Sequence, residues 1–229
     1  MAGSVEATPP AGGAAAAGPR IGVLAVQGGF QAHCDALRRL GAVAVEVRRP
    51  GHLDALDALV LPGGESTTMS IGIESYGLDQ PIRAFVGGGQ PVFGTCAGLI
   101  MLDRAHLGLM DIEARRNAFG RQVRSFEQDL HVQGLGDEPL RAVFIRAPWI
   151  EDAGDEVEVL AEVDGHPVVA RERNMLVAAF HPELTDDLRL HALFLAMIGE
   201  KKGRSSASKG KGRSAASTRA GSWQDGSPA

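Results

Sequence analysis

Only two cysteines, Cys34 and Cys96, occur in 229 residues, too few for the disulfide framework of a stapled secreted scaffold. No run of about 18 apolar residues occurs, so no segment is expected to span a membrane. The N-terminus is rich in Ala, Gly and Pro. It carries Glu6 but no early basic cluster and no leucine-rich core, which makes it a poor secretory signal. Lysine is missing until Lys201, and the segment 21–199 sets 15 Arg against 25 acidic residues, a net charge of -10. An acidic body argues against nucleic acid as the main ligand, because phosphate contacts need clustered cations. There is no internal repeat. What is present is an ordinary globular balance, 44% hydrophobic and 22% charged, with enough apolar surface for a real core. The expectation is a soluble, cytoplasmic protein with no nucleic-acid or membrane partner.

Charge divides the chain into three stretches. Residues 1–20 are neutral, 21–199 are acidic, and 200–229 carry all four lysines and a net charge of +5. The last stretch is rich in Ser and Gly and nearly free of apolar residues, so it cannot offset its ordering entropy. We expect a disordered N-terminal extension over 1–20, one domain over 21–199 and a disordered basic tail over 200–229. Such a tail can serve as a targeting signal or an anion-binding arm, although a merely solvated tail is the simpler reading.

The body alternates two kinds of segment. Residues 21–26, 42–47, 58–61 and 91–95 are short apolar runs, several of them closed by Gly or Pro-Gly, which reads as buried strands. Residues 31–40 have helical spacing, 67–87 read as helical with a break near Gly77, and 97–102 read as a helix start. The stretch 123–180 is richer in strand signals, at 143–145, 157–160 and 167–170, ahead of a final helix near 187–198. This order predicts a layered α/β fold, a mostly parallel central sheet with antiparallel additions.

The strongest chemical signal is Phe93-Gly94-Thr95-Cys96-Ala97-Gly98-Leu99. An apolar strand ends, a Gly stands two residues to either side, and Cys96 occupies the turn into a helix. That is the spacing of a nucleophile elbow with Cys in place of Ser. The small neighbours relieve crowding, and a helix N-terminus favours a thiolate. The flanking pattern tips the balance against a buried structural cysteine. A thiolate nucleophile wants a base. In Phe180-His181-Pro182-Glu183, residues i and i+2 of an extended segment share a face, so Glu183 can orient the His181 imidazole. Cys96, His181 and Glu183 then form a nucleophile, a general base and an orienting carboxylate. The remaining histidines read as surface or helix-face residues. The third element, Leu61-Pro62-Gly63-Gly64-Glu65-Ser66-Thr67-Thr68, ends a strand in a Gly pair and a cluster of helix-capping Ser and Thr. It fits an ordinary strand-to-helix turn. It equally fits an oxyanion hole in which a Gly64 amide works beside that of Ala97.

Together the three motifs resemble the class I glutamine amidotransferase family, the Cys-His-Glu glutaminases. Further blocks are similar to the branch that forms the glutaminase subunits of pyridoxal phosphate synthases. These are Ala25-Val26-Gln27-Gly28, Arg116-Asn117-Ala118-Phe119-Gly120-Arg121-Gln122, Ser125-Phe126-Glu127 and Phe144-Ile145-Arg146-Ala147-Pro148. The resemblance covers residues 21–199 and implies a three-layer, flavodoxin-like fold. It implies hydrolysis of L-glutamine to L-glutamate and ammonia by Cys96, His181 and Glu183, with Gly64 and Ala97 at the oxyanion. It assigns Gly64, Glu65, Ser66, Arg116, Ile145 and Arg146 to glutamine binding. An Arg suits the substrate α-carboxylate, and a carboxylate with backbone groups suits its α-ammonium. No metal and no cofactor are implied. The implied partner is a separate synthase subunit in a hetero-oligomeric complex, which takes the ammonia for pyridoxal 5'-phosphate (vitamin B6) biosynthesis. One departure stands out. After Gln27-Gly28 the chain reads Gly29-Phe30-Gln31-Ala32-His33, where the resemblance leads one to expect an aliphatic residue and a Glu before the His, near the expected partner-facing side.

Overall fold

Five strands in which nearly every residue is apolar form the centre of the molecule. They are β1 (Arg20–Leu24), β2 (Val43–Val47), β3 (Ala58–Leu61), β4 (Val92–Thr95) and β11 (Met175–Ala178). A strand buried on both faces has no reason to alternate polar and apolar residues, and every residue of β3, β4 and β11 is buried. The computed structural model describes residues 18–119 and 125–210, the last eleven by their backbone alone. The sheet has the order β2-β1-β3-β4-β11, all parallel, and continues antiparallel through β10 (His166–Glu172) to β9 (Glu158–Val163). This is the mostly parallel α/β sheet with antiparallel additions expected from the sequence.

Side chains of β4 show where the layers lie. Phe93 packs on Phe194 and His191 of α5 (Arg189–Gly210), and Thr95 meets His33 of α1 (Phe30–Arg39). Gly94, pointing to the other face, abuts α4 (Ala97–Leu102), which in turn packs against α2 (Ser66–Ser75). Helices therefore cover both faces. The helical segment expected over 67–87 is two helices, α2 and α3 (Asp79–Gly87), divided at Gly77, whose φ is 64°.

Two antiparallel ribbons complete the fold, β5 (Ile112–Arg115) with β8 (Trp149–Ala153) and β6 (Ser125–Leu130) with β7 (Leu140–Ile145). The chain has only eight Phe, two Trp and one Tyr, and five of these aromatics gather here. Phe126 stacks on Phe144 at 4.5 Å, Phe119 meets both, Phe144 meets Phe180, and Trp149 closes on Phe119 at 5.3 Å. Offset and edge contacts of this kind add to the area buried. They stiffen the ribbon directly behind His181.

Regular structure extends a little beyond residues 21–199 at both ends. The strand β1 begins at Arg20, and Pro19 already accepts a hydrogen bond from Val43 N. At the other end Asp187 accepts from Arg189 N just before α5, and the helix runs on to Gly210, into the stretch expected to be disordered. A composition too poor to build a core does not forbid a helix, because Lys, Arg and Ala are good helix formers. Residues 1–17 and 211–229, the rest of the expected extension and tail, lie outside the described residues.

Candidate active site

At the end of β4 the chain turns sharply into α4. Cys96 occupies the turn at φ 47° and ψ -102°, a conformation that costs a non-Gly residue free energy. Close packing requires the flanking glycines. A Cβ on Gly94 would stand 2.6 Å from Gly98 O, and one on Gly98 would collide with Leu61 O of β3. The turn is held by Cys96 N, which donates to Ala178 O of β11 at 2.8 Å. The sharp strand-to-helix turn expected there is present, and its strain sits on Cys96.

His181 follows β11 and faces Cys96. Its backbone N donates to Val143 O of β7 at 2.9 Å, so the aromatic ribbon fixes its height above the sheet. Its Nδ1 donates to Glu183 Oε1 at 2.8 Å. The pair meets across a tight 3-10 turn, Pro182–Leu184, rather than along an extended strand. Pro182, with its fixed φ, starts that turn. Only 12% of the His181 side chain and 1% of the Glu183 side chain are exposed. Burial disfavours the imidazolium, but the Cys96 hydrogen bond and then the hydrogen bond and charge of Glu183 outweigh it, pushing the His181 pKa up to about 10. Burial likewise works against the Glu183 anion. The neighbouring His33 and the hydrogen bond from His181 overcome it and hold the carboxyl well below the usual carboxylate range.

These groups open on a cavity of about 310 Å³ lined by Gly64, Glu65, Ser66, Cys96, Ala97, Arg116, Ile145, Arg146 and His181, with Ile100, Asn117 and Pro148. All nine of those first-named residues are expected from the sequence, and Glu183 stands behind His181. Asn117 at φ 49° and Arg146 at φ 45° join Cys96 among the six non-Gly residues with positive φ in the described residues, so half of that strain lines one cavity. Glu65 has a further role. Its carboxylate, rather than a Ser or Thr hydroxyl, caps α2 by accepting from Thr67 N and Thr68 N. Those backbone N–H groups hold its pKa at about 2. Ser66 is already the first helical residue, which leaves the cap to the longer side chain before it. Arg116 reaches Glu65 Oε1 at 3.2 Å, so one anion and one cation sit side by side at the cavity mouth.

A model of the SNO glutamine amidotransferase family matches residues 23–200. The chain belongs to this family. Among relatives, it is 53% identical over 200 residues to the pyridoxal 5'-phosphate synthase subunit PdxT of Parafrankia sp. (strain EAN1pec), covering 82% of this chain and 98% of that protein. It is 54% identical over 187 residues to the PdxT of Roseiflexus sp. (strain RS-1), covering 77% and 99%. A crystal structure of a glutamine amidotransferase superposes with a TM-score of 0.74 at 47% identity, over 78% of this chain and 98% of that one. PurLQS from Thermotoga maritima superposes with a TM-score of 0.62 at 17% identity, over 79% and 99%, and shares the fold alone.

In this SNO-family site three features exceed what the sequence announces. Gln27 clamps the Gly64–Glu65 turn, its Nε2 donating to Glu65 O at 2.9 Å while its Oε1 accepts from Glu65 N at 3.3 Å. It lies in one of the blocks that carried the resemblance, but nothing in the sequence assigned it a partner. Asn117 belongs to another such block. The third feature corrects the sequence reading of the histidines. His33 and His191 do lie on helix faces, yet both are fully buried, and His33 lies 3.2 Å from Glu183. The expected block at Gly120-Arg121-Gln122 lies outside the described residues.

Proposed function

We propose that the chain is the glutaminase of a pyridoxal 5'-phosphate synthase, cleaving L-glutamine to L-glutamate and ammonia through Cys96, His181 and Glu183. One observation carries the reading. A strained cysteine at a strand-to-helix turn faces a histidine whose far nitrogen is held by a buried carboxylate, all beside one polar cavity. The Cys96 sulfur, its proton held by His181, attacks the side-chain amide carbon. The carbonyl electron pair moves onto oxygen, where the Gly64 and Ala97 amides receive the charge. As the C–N bond breaks, His181 gives its proton to the leaving nitrogen, and ammonia departs from a γ-thioester. His181 then takes a proton from water. The hydroxide attacks the thioester carbon, the C–S bond breaks, and glutamate leaves with Cys96 restored. Glu183 keeps the imidazole oriented and stabilises its cationic form. Arg116, with Arg146, suits the substrate α-carboxylate, and Glu65 with Ser66 suits the α-ammonium.

The relatives named PdxT are subunits of a pyridoxal 5'-phosphate synthase. We take the partner of this chain to be the ammonia-accepting synthase subunit of such a complex. Two free, buried cysteines suit a cytoplasmic setting, where thiols stay reduced. No helix among the described residues is long and apolar enough to cross a membrane. The test is ammonia release from L-glutamine by the purified chain, alone and with the synthase subunit. We expect weak turnover alone and a clear rise in the complex, because unrestrained hydrolysis wastes glutamine and docking can complete the site. Equal turnover in both conditions would contradict the coupling.

A further inference from the structure

Behind Glu183 lies a chain of buried polar side chains that the reaction as written does not use. His33 Nε2 stands 3.2 Å from Glu183 Oε2 and 3.1 Å from Thr95 Oγ1. His33 Nδ1 stands 3.0 Å from His191 Nε2. Both histidines are 0% exposed, and they come from α1 and α5, 158 residues apart. Burying two imidazoles in an apolar layer is costly unless their hydrogen bonds are met.

Chemistry gives these contacts a direction. Glu183 is ionised and can only accept. Two buried atoms here lack a formed hydrogen bond, His191 Nδ1 and Glu183 Oε2, the latter approached by His33 Nε2 at 3.2 Å. A bare lone pair is easier to leave unmet in a core than an N–H donor, so the His191 proton belongs on Nε2. Burial pushes the His191 pKa down to about 3, consistent with a neutral ring. His191 Nε2–H therefore donates to His33 Nδ1. That leaves the His33 proton on Nε2, directed to Thr95 Oγ1, with Glu183 Oε2 beside it at 3.2 Å.

We infer that His33 is a positioning residue of the glutaminase reaction: it holds the second oxygen of Glu183 through Nε2–H, in a tautomer set by His191. The inference rests on the proposed Cys96–His181–Glu183 assignment. With Oε1 bound to His181 and Oε2 lying 3.2 Å from His33 Nε2, a small rotation completes a contact at each end of the carboxylate plane. The plane in turn fixes the His181 ring toward Cys96. Without His33, Glu183 can rotate, and its anion loses one of two donors in a buried site.

The test uses the complex with the synthase subunit. It measures kcat and KM for L-glutamine against pH, with the active fraction counted by labelling of Cys96 with a glutamine-like electrophile. The ionisable groups around Glu183 are His181 on its own turn, His33, Asp35 and Arg39 of α1, Asp186 after the turn, His191 of α5 behind His33, and Cys96 beyond His181. For His33→Leu we expect kcat per active site to fall about 10- to 100-fold with KM within about twofold. The alkaline limb of kcat/KM should move down by about one pH unit, because a Glu183 free to rotate supports the His181 cation less. A loss of stability alone would lower the active fraction without moving that limb. Should His33→Leu fail to fold, two polar variants decide. The amide nitrogen of His33→Gln reaches the place of Nε2 and should restore kcat to within about fivefold. The shorter His33→Asn amide falls at Nδ1, toward His191, and should not. Equal kcat in the Gln and Asn variants, or an unmoved alkaline limb in His33→Leu at wild-type kcat, would overturn the inference while leaving the glutaminase reading intact. A wild-type complex whose ammonia release survives Cys96→Ala would instead overturn that reading and this inference with it.

Discussion

Gly63→Ala probes the reacting geometry without touching any group that reacts. Gly63 follows β3, and its φ does not lie in the left-handed region, so Ala is acceptable to the backbone there. Space is the obstacle. A Cβ at Gly63 would stand 2.7 Å from His181 Nδ1, nearer still to His181 Cε1, and 3.3 Å from Cys96 Cβ. Ordinary contact begins at 3.4 Å, so the imidazole, with Cε1 the nearest atom, must retreat by about 1 Å, and displacements of that size at a reacting centre cost up to about 100-fold in rate. The sheet below need not move, since the clash is with one ring. We therefore expect folding stability within about 1 kcal/mol of wild type and kcat lower by about 30- to 100-fold. The KM for L-glutamine should stay within about threefold, because the cavity mouth at Arg116 and Glu65 is not disturbed. The assay is steady-state ammonia release by the synthase complex, alongside thermal melting of the same preparation. A kcat within threefold of wild type in a normally folded variant would refute the placement of His181 against Cys96. A large loss of stability would show that the clash is taken up by the backbone.

Three further predictions follow from particular contacts. His181 is pushed up to about 10, so the stabilisation it draws from Cys96 and Glu183 is complete below its ordinary value of 6.5 and is lost as pH rises through about 10. Glu183→Gln removes the anion from Nδ1 and should draw the alkaline limb of kcat/KM down toward neutrality, read from a pH profile between 6 and 11. An alkaline limb unchanged from wild type would contradict the assignment. Arg116→Gln removes the charge expected to meet the substrate carboxylate and should raise KM about tenfold or more while changing kcat less; an unchanged KM would remove Arg116 from the binding set. Phe144, fully buried between Phe126 and Phe180, should cost about 3–5 kcal/mol on conversion to Ala, measured by urea unfolding, and a loss under 1 kcal/mol would show the aromatic ribbon to be loosely packed.

The elbow and the parallel strands were legible because their causes are local. An apolar run between glycines has few structural uses, and Gly94-Thr95-Cys96-Ala97-Gly98 states its own close packing in five letters. The cavity-lining residues were legible for a different reason, because longer blocks resembled a known family. Features that depend on distant chain segments were not legible. His33 and His191 are lone histidines in helices separated by most of the domain, and only the folded sheet brings them together behind Thr95. The capping role of Glu65 was hidden by three better-known capping residues directly after it. Strands β5 and β8 escaped notice because each is half exposed and carries charges, Glu113 and Arg115 on one and Glu151 and Asp152 on the other. Such segments gain their strand character from pairing rather than from pattern.

The central claim is that Cys96 is the nucleophile of a glutamine-binding cavity. The most direct measurement is peptide mapping by mass spectrometry after treatment with a glutamine-like electrophile, with and without excess L-glutamine. Burial pushes the thiol of the other cysteine, Cys34, up, and it should stay unmodified. The account predicts one label per chain, on Cys96, slowed by L-glutamine and matched by loss of ammonia release. A label on Cys34, or a Cys96 label that L-glutamine does not slow and that leaves turnover unchanged, would contradict it.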